Sequence, residues 1–247
     1  MANYIFLVQT NPDDIHAGLD AIHQVTQIAE QGHDIEQVFF YGPGVGYGHH
    51  FLSFPAGAPN LQQQWLELAK QYAFPLVVCA TVGSQYGLEA ELPPEGNLAL
   101  GFQAGGLTDF MSHLVNADHL LQFPAVKQGQ AGAKGHISFL FQEPATQPAA
   151  RHGLDMLLMA ASLELPCAAI YNKMALTQLV EPDQGPDLFK RLDMLADIFE
   201  FEGFYTTAEA LQQAGLTADD LRVPVRLLTP EALDALLSTD SQHIVRF

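Results

Sequence analysis

Basic side chains are almost missing from the first half of this chain. Across residues 1–123 a single Lys70 stands against 12 Asp and Glu with no Arg, and the 247 residues together hold 10 Lys and Arg against 28 acidic residues. A surface of that sign repels phosphate backbones, so direct nucleic-acid binding is not expected. Cysteine is scarce too. Cys79 and Cys167 are far apart and neither belongs to a CxxC, which excludes a disulfide scaffold, a thioredoxin-type dithiol and cysteine-rich zinc sites, and suits a reducing cytoplasm. No run approaches the roughly 20 apolar residues of a membrane span. The opening "MANYIFLVQTNPDD" has no basic segment ahead of its short apolar run, so no secretory leader is expected.

Catalytic signatures are equally thin. There is no HExxH and no Cys/His cluster at metal-ligand spacing, so no metal is expected. Ser84 has no GxSxG elbow around it, and a serine hydrolase is unsupported. The Gly-rich "GPGVGYGHH" (Gly42–His50) follows a strand-like run but has neither GxGxxG spacing nor the Lys-Ser/Thr of a phosphate loop. It reads as a flexible loop bordering a site, with a nucleotide or flavin site as a weaker alternative.

What is present is a repeat. "NYIFLVQTNP" (Asn3–Pro12) is echoed by "GHISFLFQEP" (Gly135–Pro144), "AGLD" (Ala17–Asp20) by "HGLD" (His152–Asp155), "VFFYGPGV" (Val38–Val45) by "AAIYNKMA" (Ala168–Ala175), and "ADHLLQF" (Ala117–Phe123) by the closing "SQHIVRF" (Ser241–Phe247). Order and spacing are both kept, which marks a tandem duplication. "PAVKQGQAGAK" (Pro124–Lys134), lacking bulky apolar residues, reads as the linker between a domain at 1–123 and one at 135–247.

Each half alternates strand-like and helix-like segments. In the first, "YIFLVQ", "VFFY", "LVVCA" and "HLLQF" are strand-length apolar runs. Asn11 to Asp14 can cap a helix with apolar positions Ile15, Leu19, Ile22 and Ile28, and Gly32 stands where it should stop. Further helices are expected over Leu61–Ala73 and Gly106–Val115. In the second half "VPVRLL" (Val223–Leu228) reads as a strand, and "TPEALDALL" as a helix with Thr229 capping and Pro230 in its first position. Apolar strands separated by helices give the expected fold class: α/β, two tandem three-layer α/β/α domains, each with a mostly parallel sheet of about five strands. With 48% apolar and 15% charged residues, the chain is globular and has little charge to spread over its surface, which suggests burial between subunits.

Sites in such sheets form beyond the carboxyl ends of the strands. Cys79 ends the third strand in "FPLVVCATVGSQYGL", where a thiol would face backbone N–H groups at a helix start. A buried cysteine acting as a small hydrophobe is the competing reading. That reading is also expected for Cys167, placed mid-strand in "LPCAAIY". Tyr41, His49, His50, Thr81 and Ser84 are expected to border Cys79, the histidines as base or cation near the sulfur. Counting back eight residues from Gly215-Leu216, as Cys79 stands eight before Gly87-Leu88, lands on Thr207. The second half therefore keeps the loop without the thiol.

These residues resemble the DsrE/DsrF/DsrH (TusB/TusC/TusD) sulfur-relay family. The TusD (DsrE-like) branch is matched by "GHDIEQVFFYGPGV" (Gly32–Val45), by "VVCATVGSQYGL" around Cys79 and by "LGFQAGGLTDFMSHLVNADHLLQF" (Leu100–Phe123). The second half is similar to the TusC (DsrF-like) branch in "ARHGLDMLLMAA" (Ala150–Ala161), "EGFYTTAEALQQAGL" (Glu202–Leu216) and the closing "LLTPEALDALLSTDSQHIVRF". The resemblance implies a fused TusD-like and TusC-like chain and a sulfurtransferase whose Cys79 accepts sulfane sulfur as a persulfide without cofactor. It further implies donor and acceptor carrier proteins as partners, an oligomer, a TusB/DsrH-like third subunit, and service to tRNA 2-thiouridine synthesis or to dissimilatory sulfur oxidation. A non-catalytic assembly or ligand-binding module of the same fold is the alternative.

Overall fold

The apolar runs of the first half become strands in the computed structural model, which describes residues 1–124, 135–180 and 188–247. The first compact unit, Met1–Lys127, runs β1 (Asn3–Val8), α1 (Ile15–Glu30), β2 (Asp34–Phe40), a 3-10 segment (Gly42–Gly48), α2 (Leu61–Tyr72), β3 (Leu76–Cys79), α3 (Ala80–Gln85), β4 (Phe102–Gly105), α4 (Leu107–Leu114) and β5 (His119–Phe123). Its five strands lie in the order β4-β3-β2-β1-β5, all parallel. Parallel strands need a crossover between them, and the helices supply it while covering the sheet.

Side-chain alternation divides the strands between two layers. Phe6, Val8, Val38, Phe40, Leu76 and Val78 form one buried cluster with Ala21, Ile22 and Val25 of α1 and Leu61, Trp65 and Leu68 of α2. Ile5, Leu7 and Phe39 are also completely buried, as are Phe110, Met111 and Leu114 of α4, and Phe39 stacks on Phe110 at 4.5 Å. Each such side chain contributes roughly 1.5–3 kcal/mol by leaving water. The helix signals act where expected. Asp14 accepts from the Ala17 N–H and Gly32 follows α1 at φ +78°; beyond the expected signals, Asn60 caps α2 by accepting from the Gln63 N–H.

The second unit, Gln128–Phe247, repeats the plan: β6 (Ile137–Phe141), α5 (Pro148–Ser162), β7 (Cys167–Tyr171), a 3-10 turn (Ala175–Leu179), α6 (Phe189–Asp193) continuing into a π-helical turn, β8 (Phe204–Thr207), α7 (Ala208–Ala214), β9 (Arg226–Leu228), α8 (Pro230–Ala235) and β10 (His243–Arg246). Read from the β9 edge its order is β9-β8-β7-β6-β10, the same as in the first unit. Pairing also refines the repeat by one residue. β1 and β2 end on the pair Val8↔Phe40, and β6 and β7 end on Phe141↔Tyr171. Tyr171 therefore takes the place of Phe40, and Asn172 that of Tyr41.

Three expectations change. Gly42–Gly48 is a largely buried 3-10 segment and not a flexible loop. It is tied down because its glycines let backbone approach backbone. A Cβ on Gly44 would stand 2.1 Å from the Val8 carbonyl oxygen, and one on Gly48 2.6 Å from Val78 Cγ1. The strand expected over Val223–Leu228 is only Arg226–Leu228, since Pro224 cannot donate to the ladder and pairing is confined to residues beyond it. Cys167 is the half-buried first residue of β7, not its middle. Apart from Pro124, the expected linker lies outside the described residues. No helix among those described is long and apolar enough to cross a membrane.

Trp65, the sole tryptophan, is wholly buried in the first unit, so its fluorescence reports on that unit alone. Gly44→Ala is expected to lower the urea midpoint of the Trp65 transition by the equivalent of about 3 kcal/mol, the cost of overpacking against rigid backbone; an unchanged midpoint would refute the tight contact. In the second unit burial pushes the Cys167 thiol up to about 12. The folded chain thus holds a proton that the unfolded chain sheds near 9. This group's contribution is full below about pH 9 and is lost as pH rises toward 12. Urea titrations by far-UV circular dichroism between about pH 8 and 11 should show a shallower alkaline decline for Cys167→Ala than for wild type.

Candidate active site

Leu76–Val78 are buried apolar residues that suit the middle of a parallel sheet, and the chain then turns into α3 with no residue between. Cys79 is both the last residue of β3 and the N-cap of α3, with extended backbone at φ −64°, ψ 113°. The helix is short. Its last turn closes with Leu88 N–H on the Gly83 carbonyl at 2.8 Å, and the buried Leu88 side chain fits over Gly83. Cys79 is 0% exposed. Its side chain makes no capping bond to the helix it begins.

Register identifies its neighbours. On one side Cys79 pairs with Gly105, the last residue of β4. On the other, Phe40↔Val78 is the last pair of β2 with β3, so the next step along both strands brings Tyr41 beside Cys79. Phe40 and Val78 face the cluster under α1 and α2; alternation turns Tyr41 and Cys79 to the opposite layer. Tyr41 is likewise 0% exposed, its ring stacked on Phe39 at 6.1 Å.

The other expected residues fall elsewhere. Thr81 and Ser84 are exposed on α3, where the Ser84 hydroxyl donates to the Thr81 carbonyl at 2.9 Å. His49 and His50 come directly after the 3-10 segment. The His50 N–H donates to the Asn97 carbonyl at 2.7 Å, His49 Nδ1 accepts from the Phe51 N–H at 3.1 Å, and Gln62 of α2 donates to the His49 carbonyl at 3.0 Å. Gly48, just before them, packs on Val78. The histidine loop thus lies on the side of the sheet that Val78 faces, away from the side to which Cys79 turns. The neighbour that sequence reasoning missed is Gly105, because β4 was not seen as a strand. Its signal was the short "FQAG", with Gln103 and Ala104 exposed at a sheet edge.

The second unit has the same junction with different chemistry. Thr207 ends β8 and caps α7, its hydroxyl oxygen accepting from the Ala210 N–H at 3.1 Å. Asn172, in the place of Tyr41, accepts at Oδ1 from the N–H groups of Met174 and Ala175, both at 3.0 Å. An open cleft of about 580 Å³ lies here, lined by Thr207, Glu209, Leu227, Thr229 and Leu233 among others. It offers no thiol. Cys167 stands at the opening end of β7, and at neutral pH its thiol keeps its proton.

A profile of the DsrE/DsrF-like family matches residues 2–123, the segment that carries Cys79. A Pasteurella multocida protein named sulfurtransferase TusD homolog is 32% identical over 122 residues, which is 48% of this chain and 97% of that protein. The putative sulfurtransferase DsrE of Allochromatium vinosum is 31% identical over 115 residues, covering 44% of this chain and 88% of its own. Among solved structures the ychN protein from E. coli aligns with 50% of this chain and all of its own, at 22% identity and a TM-score of 0.43. With almost the full length of the Pasteurella protein spanned at that identity, the chain belongs to the DsrE/DsrF-like family.

Proposed function

We propose that the protein is a sulfurtransferase of a protein-to-protein sulfur relay, with Cys79 as the residue that carries sulfur. The observation behind this reading is the placement of Cys79 at the carboxyl end of a central parallel strand, where sites of this architecture gather. It lies inside the segment shared with relatives that bear the name sulfurtransferase.

The chemistry asks little of the fold. The Cys79 thiolate attacks the outer sulfur of a donor persulfide; a new S–S bond forms on Cys79, the donor's own S–S bond breaks, and the donor leaves as a thiolate. An acceptor thiolate then attacks the outer sulfur of the Cys79 persulfide and regenerates the Cys79 thiolate. Sulfane sulfur moves at each step without net oxidation or reduction, so neither a metal nor an organic cofactor is consumed. Because Cys79 is fully covered in the single chain, each exchange requires α3 or a segment above it to shift when a carrier docks.

In this reading the first half acts as a TusD-like domain and the second as a TusC-like domain joined through residues 124–134. Thr207 leaves the corresponding strand end of the second half without a thiol to hold sulfur. Fusion fixes the two halves at equal number and high effective concentration. The near absence of basic residues from the first half suits electrostatic steering of a basic carrier protein. The pathway assigned is tRNA 2-thiouridine synthesis in the cytoplasm, with an oligomer that includes a TusB/DsrH-like subunit. The burial of Cys79 specifically favours the second reading, a non-catalytic assembly module that has kept the fold.

Incubation with a small persulfide donor and measurement of the intact mass separate the two. Wild type is expected to gain the mass of one sulfur atom, and Cys79→Ser none, with unchanged circular dichroism. No gain on wild type, or an equal gain on the variant, would leave the assembly module standing.

A further inference from the structure

The helix that follows the edge strand is used differently in the two units. In the first, α4 follows β4 and buries Phe110, Met111 and Leu114 completely. Its counterpart α8 follows β9, and neither α8 nor the π-helical turn that continues it over Leu236–Asp240 has a buried residue. Leu233, Leu236 and Leu237, spaced three and four apart along one side of that helix, are only half-buried. Leu227 of β9 is 53% exposed. β9 ends the sheet order and is paired to β8 alone among the described strands, so this side of the sheet is an open edge. Leu227 and Leu233 both line the cleft of about 580 Å³, which opens between the first turns of α7 and α8.

The charge around this apolar strip has one sign. Residues 208–221 hold Glu209, Asp219 and Asp220, residues 227–240 hold Glu231, Asp234 and Asp240, and neither stretch has a Lys or Arg. The arginines between them are engaged by carboxylates of the chain itself, Arg222 with Asp193 at 3.2 Å and Arg226 with Glu202. A second copy placed on the same face would set these carboxylates against themselves, because a two-fold contact repeats each residue on both sides. Leucines framed by carboxylates match the opposite pattern, a helix with an apolar stripe and flanking lysines or arginines. We propose that the β9–α8 edge of the second unit docks such a helical segment of a partner protein. Its apolar side chains enter the cleft against Leu227 and Leu233, and its basic side chains pair with Glu209, which lines the cleft, and Asp234, which borders the leucine stripe on α8. The contact involves neither cysteine. It stands whether or not Cys79 carries sulfur, and it gives the second unit a task that needs no thiol.

The probe is a fluorescein-labelled synthetic helix with leucines along one side and lysines along the other, titrated with the full chain and followed by fluorescence anisotropy. A control peptide has glutamates in place of the lysines. Wild type is expected to bind the lysine peptide, and the glutamate peptide about tenfold or more weakly. Leu227→Asp separates a seated helix from general attraction of a basic peptide to an acidic protein. The exchange adds negative charge, so general attraction would grow stronger, whereas loss of an apolar anchor weakens a seated helix by about tenfold. Leu227 is exposed, so the far-UV circular dichroism melt of the variant is expected to match that of wild type. Asp234→Lys supplies a second variant, expected to weaken the lysine peptide and to strengthen the glutamate peptide by about threefold each. No binding to wild type, or equal or tighter binding of the lysine peptide to Leu227→Asp, would overturn the proposal. So would a wild-type dimer in sedimentation that Leu227→Asp converts to monomer, since a second copy would then fill the face.

Discussion

The site depends on one covalent constraint: β3 passes into α3 without a connecting residue, so Cys79 serves as strand end and helix cap at once. The strand half of that junction is held by parallel pairing to β2 and β4, the helix half by the return of Leu88 onto Gly83. Neither half can slip without moving the sulfur. A one-residue shift of β3 would turn Cys79 into the layer under α1 and α2 and present Val78 in its place. The close approach of Gly48 to Val78 opposes that shift from the other side.

Two layers of packing then give the sheet faces different tasks. The face under α1 and α2 is a large aromatic and aliphatic cluster in which Phe40 meets Trp65 edge-on at 5.5 Å; it supplies cohesion. The opposite face, beneath α4, contains the two strand ends from which Tyr41 and Cys79 project. Duplication lets the second unit keep the cohesive plan, with Tyr171 taking the place of Phe40, while its strand ends are occupied by capping side chains. A fold that tolerates either chemistry at that junction can keep one unit reactive and the other structural.

Much of this was legible from residue order because the signals are local. Asp14, Gly32, Thr229 and Pro230 act within one helical turn of themselves, and their roles stem from side-chain reach and backbone preference. The apolar runs of β1, β2 and β3 needed no partner to be recognised. Features set by distant pairing were not legible. β4 has two exposed residues in four and exists because β3 offers an edge. Gly42–Gly48 has the composition of a loop but is ordered by Val8 and Val78, which lie far away in sequence. The one-residue offset between Tyr41 and Tyr171 is invisible in matched letters and emerges only in the strand pairs. His49 and His50, which follow a Gly-rich stretch at the end of a strand, were expected to border Cys79, and side-chain alternation separates them from it. The completeness of Cys79 burial was equally beyond residue order, since it depends on how α3 and its neighbours close over the strand end.

In the proposed relay, sulfur resides on the strand-end thiol of the first unit. Peptide mapping of the donor-treated, alkylated protein tests this at single-residue level, because Cys79 and Cys167 are the only cysteines. The additional sulfur is expected on the peptide that contains Cys79, with the Cys167 peptide unmodified; sulfur on the Cys167 peptide, or on neither, would contradict the assignment.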